Sequence, residues 1–274
     1  MALDFQSVAG ITRLRVLQQD IPWRAIRAFT NTEHEALVHV HNVSGGVLSG
    51  DDLSLAVHVG SDARVQLTST GATRLYRRKS DGRGARQQSA ITIQKGGFLE
   101  YLPDPVIPFA DSEYHQSIAI NLEEDAGLIW WEIVSAGRVT SAETFAFQQF
   151  TSEFAITALG RPIALERFRL QPDEQELTSL ARFGDFLYTA ALYTCHVNED
   201  QLRWTSLERK LSLIADELST PDVRWGASTL VRDGIVVRCL SREAHLIMKG
   251  LYRFWAEAKL AIWNRPACIP RKVH

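Results

Sequence analysis

Between residues 36 and 170 the chain breaks repeatedly into short runs in which apolar and polar residues alternate, each ended by Gly, Asp, Pro or Ser. A strand sends successive side chains to opposite faces, so period-two alternation marks half-buried strands and the turn residues mark where they stop. Leu53, Leu55, Val57 and Val59 share one such face. Stretches 65–67, 91–93, 98–102, 118–122, 128–134 and 145–150 repeat the pattern, with Gly60, Gly82-Arg83-Gly84, Gly96-Gly97 and Asp125-Ala126-Gly127 as turn chemistry between them. The spacing predicts a mainly β structure of many short strands.

The period changes in the last third. Thr205 and Glu208 form a capping-box pattern around Leu207, Leu211, Ile214 and Leu218, which share one helical face until Pro221. Stretches 225–231 and 235–240 flank Arg232-Asp233-Gly234, a hairpin signal. Ser241 is placed to cap a second helix carrying Ile247, Leu251, Phe254, Trp255, Ala258 and Ile262. Segment 183–197 is ambiguous, since Phe186-Leu187-Tyr188 and Leu192-Tyr193-Thr194 suit a strand while Ala190-Ala191 suits either state, and a strand is the favoured reading. No linker, low-complexity tract or sustained repeat divides the chain, so 1–274 is read as one domain.

Composition narrows the functions. Thirty Lys and Arg face 32 acidic residues, a net charge of −2, which gives no general attraction to nucleic acid or to an anionic membrane. Neither a signal-peptide pattern nor a run of about 18 apolar residues occurs, so a cytoplasmic protein is expected. Cys195, Cys239 and Cys268 form no CxxC pair, which supports neither a disulfide framework nor a zinc knuckle.

Candidate chemistry is diffuse. His39 and His41 alternate on one strand face, and His58 could join them as a third imidazole for nickel or zinc; the same spacing equally places them at ordinary polar strand positions. Asp51, Asp52, Glu100, Asp104, Glu132 and Glu143 offer carboxylates, and on a β scaffold these suggest a β-helical carbohydrate-active enzyme as an alternative function. GxSxG, P-loop, HExxH and GxGxxG patterns do not occur. Thr68-Ser-Thr-Gly-Ala-Thr-Arg-Leu-Tyr-Arg77 is hydroxyl-rich and then basic, suited to an anion, a polar passage or an exposed strand. Leu99-Glu-Tyr-Leu-Pro-Asp-Pro-Val-Ile-Pro-Phe109 is a Pro-stiffened loop of the kind found at interfaces and at corners.

Taken in order, several stretches resemble the UreD (UreH) family of urease accessory proteins. They are Gly45-Gly-Val-Leu-Ser-Gly-Asp51, the Thr68 and Leu99 stretches just quoted, Gly137-Arg138 with Glu143-Thr-Phe145, and Asn264-Arg-Pro-Ala-Cys-Ile-Pro-Arg271, so the resemblance runs from about residue 36 to the end. Ser69, Thr70 and Arg74 depart from the family's usual Thr-Thr-Gln and Ala-Thr-Lys, and Arg in place of Lys changes geometry and hydration. The resemblance implies a β-helix-like stack of short strands with about two α-helices in the C-terminal third. It implies a non-catalytic scaffold that links the UreF and UreG accessory proteins to the urease structural subunits and helps nickel delivery. No tightly bound cofactor is implied, only transient nickel(II) in an internal polar passage. On that view Asp51, Glu100, Asp104, Glu132 and Glu143 are candidates to line the passage, or else structural ion pairs with partners such as Arg138 and Arg77. Tyr101, Pro105 and Phe109 are candidates for a protein interface.

Overall fold

A computed structural model of the chain describes residues 1–30, 34–80 and 82–270. The chain opens with β1 (Ala2–Val8), β2 (Ile11–Gln18) and β3 (Trp23–Thr30), then winds as a flattened coil between two sheets. Strands β4 (Ala36–Asn42), β5 (Asp52–Val59) and β6 (Arg64–Ser69) are followed by short β7 (Thr73–Leu75), then β8 (Ala85–Ile93) and β9 (Phe98–Leu102). Short β10 (Val106–Pro108), β11 (Glu113–Leu122), β12 (Gly127–Ser135) and β13 (Gln149–Ala158) complete the winding. Strands β5, β8, β11 and β13 lie parallel in the first sheet, and β4, β6, β9 and β12 lie parallel in the second. This is the β-helix-like stack expected from the family resemblance.

Antiparallel strands close the sheets. In the first sheet β14 (Arg161–Leu170) pairs antiparallel with β13 at one edge, and at the other β1 runs parallel to β5 and is itself closed by antiparallel β2. The second sheet is extended by β15 (Tyr188–His196), β17 (Gly234–Ser241) and β16 (Val223–Thr229) at one edge and by β3 at the other. Segment 183–197 is a strand from residue 188 onward.

Register explains why short strands suffice. In a coil, equivalent residues stack, so Val57, Ile91, Ile120 and Ile156 form one buried ladder and Val65, Leu99 and Leu128 another facing it. Each such side chain contributes about 1.5–3 kcal/mol on leaving water. The outer face of the second sheet is apolar as well, with Leu102, Ile129, Trp131 and Ile133, and needs a cover. Helices α1 (Gln201–Leu218) and α2 (Ala244–Trp263) supply it through Trp204, Leu207, Leu211 and Ile214 and through Ile247, Leu251, Phe254 and Trp255. Among the described residues no helix is long and apolar enough to cross a membrane.

Three local expectations are corrected. Helix α1 starts one turn before the proposed box: Asp200 is its cap, accepting from Leu202 N at 2.9 Å, while Thr205 sits inside and bonds back to Gln201 O. Ser241 ends β17 and braces Glu243, accepting from its N–H, and Glu243 occupies the α2 cap position without a side-chain bond. Stretch 145–150 becomes a strand only at Gln149; Phe145 has φ +51°, and its ring packs edge-on against Phe183 at 5.1 Å. The alternating aromatics there serve a loop. The three strands before residue 36 carry no clear period in the sequence, because exposed Val8, Ile11, Val16, Leu17 and Ile26 blur their alternation.

Candidate functional site

Four of the stretches singled out in the sequence meet at one end of the coil. Val47 N donates to Arg74 O at 2.8 Å and Tyr76 N to Val47 O at 2.9 Å, stitching the 45–51 loop to β7. β7 pairs in parallel with β10, and Thr73 N donates to Pro105 O at 2.8 Å. Loop 137–145 closes the same end: Ala110 N donates to Glu143 Oε2 at 3.2 Å and Asp111 N to Ala146 O at 2.9 Å. Gly46 is required by this closeness, since a Cβ there would lie 2.5 Å from Arg74 O. The end holds a cavity of about 270 Å³ walled by Gly45, Gly46, residues 69–74, Gln87 and Tyr101.

Behind this cavity the inner face of the first sheet turns polar in a single register. Gln87 of β8 lies beside Gln116 of β11, and Gln116 beside Ser152 of β13. Tyr114 OH donates to Gln87 Oε1 at 2.9 Å, and the Gln116 amide donates to Ser152 Oγ at 2.9 Å and to Glu132. Glu132 reaches in from β12 of the second sheet and lines a further cavity of about 220 Å³ with Glu166, Phe168, Phe183 and Arg238. Glu166 accepts hydrogen bonds from Tyr193 OH and Arg238. Burial pushes the Glu132 carboxyl up to about 7, against the pull of the Gln116 hydrogen bond and with help from the Glu166 charge. Burial, and then the Glu132 charge, push the Tyr101 hydroxyl up to about 12. Amide oxygens, hydroxyls and one carboxylate make a weak oxygen-donor environment, suited to a hard or borderline divalent ion that must also leave. Among the described residues no three His, Cys, Asp or Glu are grouped to hold a metal.

Residues 1–274 match the family described as UreD urease accessory protein. The chain belongs to the UreD family. Urease accessory protein UreD of Herpetosiphon aurantiacus is 40% identical over 276 residues, covering all of this chain and 96% of that protein. Urease accessory protein UreD 2 of Pseudomonas syringae pv. tomato is 33% identical over 228 residues, 83% of this chain and 76% of the relative. The UreD of Acetivibrio thermocellus is 33% identical over 206 residues, 75% of each chain. The family match therefore also covers the N-terminal strands that the motifs leave out.

Within this UreD chain the five candidate carboxylates are spread over different surroundings. Glu132 is the one that stands between the sheets. Asp104 lies beside the 270 Å³ cavity, accepting from Ser69 Oγ at 2.8 Å, and Ser69 is part of that cavity's wall. Asp51 caps its own turn by accepting from Leu48 N at 2.8 Å. Glu143 pairs with Arg138, whose hydrogen bond, with that from Ala110 N, holds the carboxyl below its usual range. Glu100 points to the helix side, fully buried, accepting from Trp255 Nε1 at 2.6 Å, Lys259 Nζ at 2.9 Å and Gln66 Nε2 at 3.2 Å. Burial raises Glu100 and Lys259 pulls it back.

Of the interface candidates, Tyr101 is a wall of the cavity, Pro105 accepts from Thr73, and Phe109 packs edge-on against Tyr76 at 5.2 Å beneath the Arg138 guanidinium. The histidines do not gather: His39 and His41 have ring centres 6.3 Å apart in the second sheet, and His58 in the first sheet is bound to Asp4 at 2.7 Å. Gln87, Gln116, Ser152, Glu166 and Arg238 were missed in the sequence. The available signal was a polar residue standing where the alternation calls for an inward apolar one, at 87 in β8 and 116 in β11.

Proposed function

We propose that the chain serves urease maturation in the cytoplasm as a non-catalytic scaffold between apo-urease and the UreF and UreG proteins, and that nickel(II) crosses it between the two sheets. Membership of the UreD family supports the maturation role. The observation that carries the route is Glu132: a carboxyl inside the sandwich, reached by the Gln87, Gln116 and Ser152 register from one cavity and lining another. A carboxylate held there by a neutral amide and, among the described residues, by no cation costs folding free energy, which supports a cation that visits it. Nickel is cargo here. Gln87, Gln116, Ser152 and Tyr101 replace part of its hydration shell, and Glu132 supplies the charge that draws it inward without enough further ligands to retain it.

The test is Glu132→Gln, expressed with urease and its accessory proteins, with nickel counted in the purified urease. Nickel content at least fivefold below that obtained with the parent chain, at equal accumulation of the variant, is expected. Unchanged nickel loading removes Glu132 from the route.

A further inference from the structure

The basic residues that follow Tyr76 are left over by this route. Six basic residues and one acidic residue fall between positions 74 and 86 in a chain whose net charge is −2. Arg77, Lys79, Arg83 and Arg86 are exposed, and among the described residues none of their side chains makes a hydrogen bond or ion pair; Arg77 reaches Glu143 through space alone. Arg78, by contrast, is bound to Glu113 at 2.9 Å. Beside them opens a cleft of about 580 Å³, walled by Asp51, Asp52, Arg78, Arg83, Arg86 and Glu113. Exposed cations set close together in this stretch, none held in an ion pair among the described residues, raise the local potential, which is an arrangement that a partner of opposite charge relieves.

The wall pattern says what kind of partner. Arg86 stands in register between Asp52 and His115 on the outer face of the first sheet, and Glu113 and Asp51 stand near it, so cations and carboxylates are interleaved. A phosphate chain, charged at every unit, would meet these carboxylates. A polypeptide that spaces its acidic side chains and offers amide and hydroxyl donors between them would not. Tyr76 and Phe109, stacked edge-on, supply an apolar contact beside the cations. We propose that this end of the molecule docks an acidic segment of a protein partner across Arg77, Lys79, Arg83 and Arg86. The choice of a protein as occupant rests on the maturation reading above.

A fluorescein-labelled twelve-residue peptide of alternating Glu and Ser is titrated with the full chain at 50 mM NaCl and followed by anisotropy. Arg77→Glu, Arg83→Glu and Arg86→Glu combined should weaken binding at least tenfold, and the same positions changed to Ser should weaken it by a smaller factor. Arg209→Glu with Arg224→Glu, exposed cations on α1 and β16, should change it less than twofold. Raising NaCl to 300 mM should weaken the parent at least fivefold. Circular dichroism of each variant checks folding, and the Ser variant keeps the test decisive if charge reversal unfolds the chain. Equal binding by the parent and the folded charge variants overturns the proposal. So does tighter binding of inorganic triphosphate, which would mean a small-anion site, or of a single-stranded oligonucleotide, which would mean a nucleic-acid surface. The peptide titration contains no nickel, so its failure leaves the Glu132 route untouched, and unchanged nickel loading in Glu132→Gln leaves the docking result untouched.

Discussion

At the scale of single residues, Glu132 shows how function is written against stability. Its carboxyl ionises near 4.5 in an unfolded chain but keeps its proton up to about 7 in the folded one. Between those values the folded state binds more protons than the unfolded, so stability falls as pH rises through the window. The cost at pH 8 amounts to about 3 kcal/mol at most, from 1.36 kcal/mol per pKa unit. Glu132→Gln keeps the shape and can still accept from Gln116 while losing the charge. It should therefore be more stable than the parent at pH 8, with the advantage vanishing near pH 4.5. Urea denaturation at both pH values measures this, and an advantage independent of pH would show that the Glu132 charge is not the source of the cost. The residue that should lower nickel loading when changed is thus one whose change should strengthen the fold.

At the scale of elements, the helices separate what a pattern can say from what geometry decides. The apolar stripe of α1 was legible from Leu207, Leu211, Ile214 and Leu218, because burial against a sheet selects residues at helical spacing. Its start was not legible, since Asp200 and Thr205 both carry side chains able to cap and only the backbone shows which one faces free N–H groups. Asp200→Ala should cost about 1 kcal/mol, the usual worth of a helix cap, while Thr205→Ala should be close to neutral or slightly stabilising. Thermal unfolding of the two variants checks this, and a larger loss from Thr205→Ala would return the cap to Thr205. The strands divide in the same way. Those inside the coil alternate cleanly because one face meets the core, as Leu53, Leu55, Val57 and Val59 do, whereas β2 leaves apolar residues on an open face and hides its period. The site was legible only in pieces. Residues 45–51, 68–77 and 99–109 stood out by composition, but the register that sets Gln87 beside Gln116 and Ser152 depends on pairing between strands roughly thirty positions apart, which no local window contains.

At the scale of the whole molecule, the helical layer is joined to the β coil through a buried charged group. Lys259 of α2, about 1% exposed, lies 2.9 Å from Glu100 of β9 and 3.6 Å from Glu35, and Trp255 donates to the same Glu100. Gln66 of β6 donates both to Glu100 and to the carbonyl of Cys268, at 2.9 Å, so the C-terminal stretch is tied to the same knot. The last of the family motifs thereby belongs to the clamp between layers, and Glu100 to it as well. Breaking a buried pair from one side leaves charge without a partner, which costs about 3–5 kcal/mol. The two sides differ here. Lys259→Met strands two carboxylates, Glu100 and Glu35, whereas Glu100→Gln leaves Lys259 with Glu35 and lets the new amide accept from Trp255. Lys259→Met should therefore destabilise more than Glu100→Gln, and the double variant should recover part of the loss, since it removes both halves of the closest pair. Urea unfolding of the parent, both single variants and the double variant at pH 7 completes the cycle; equal single losses that simply add would mean that the two layers are held together by apolar contact alone.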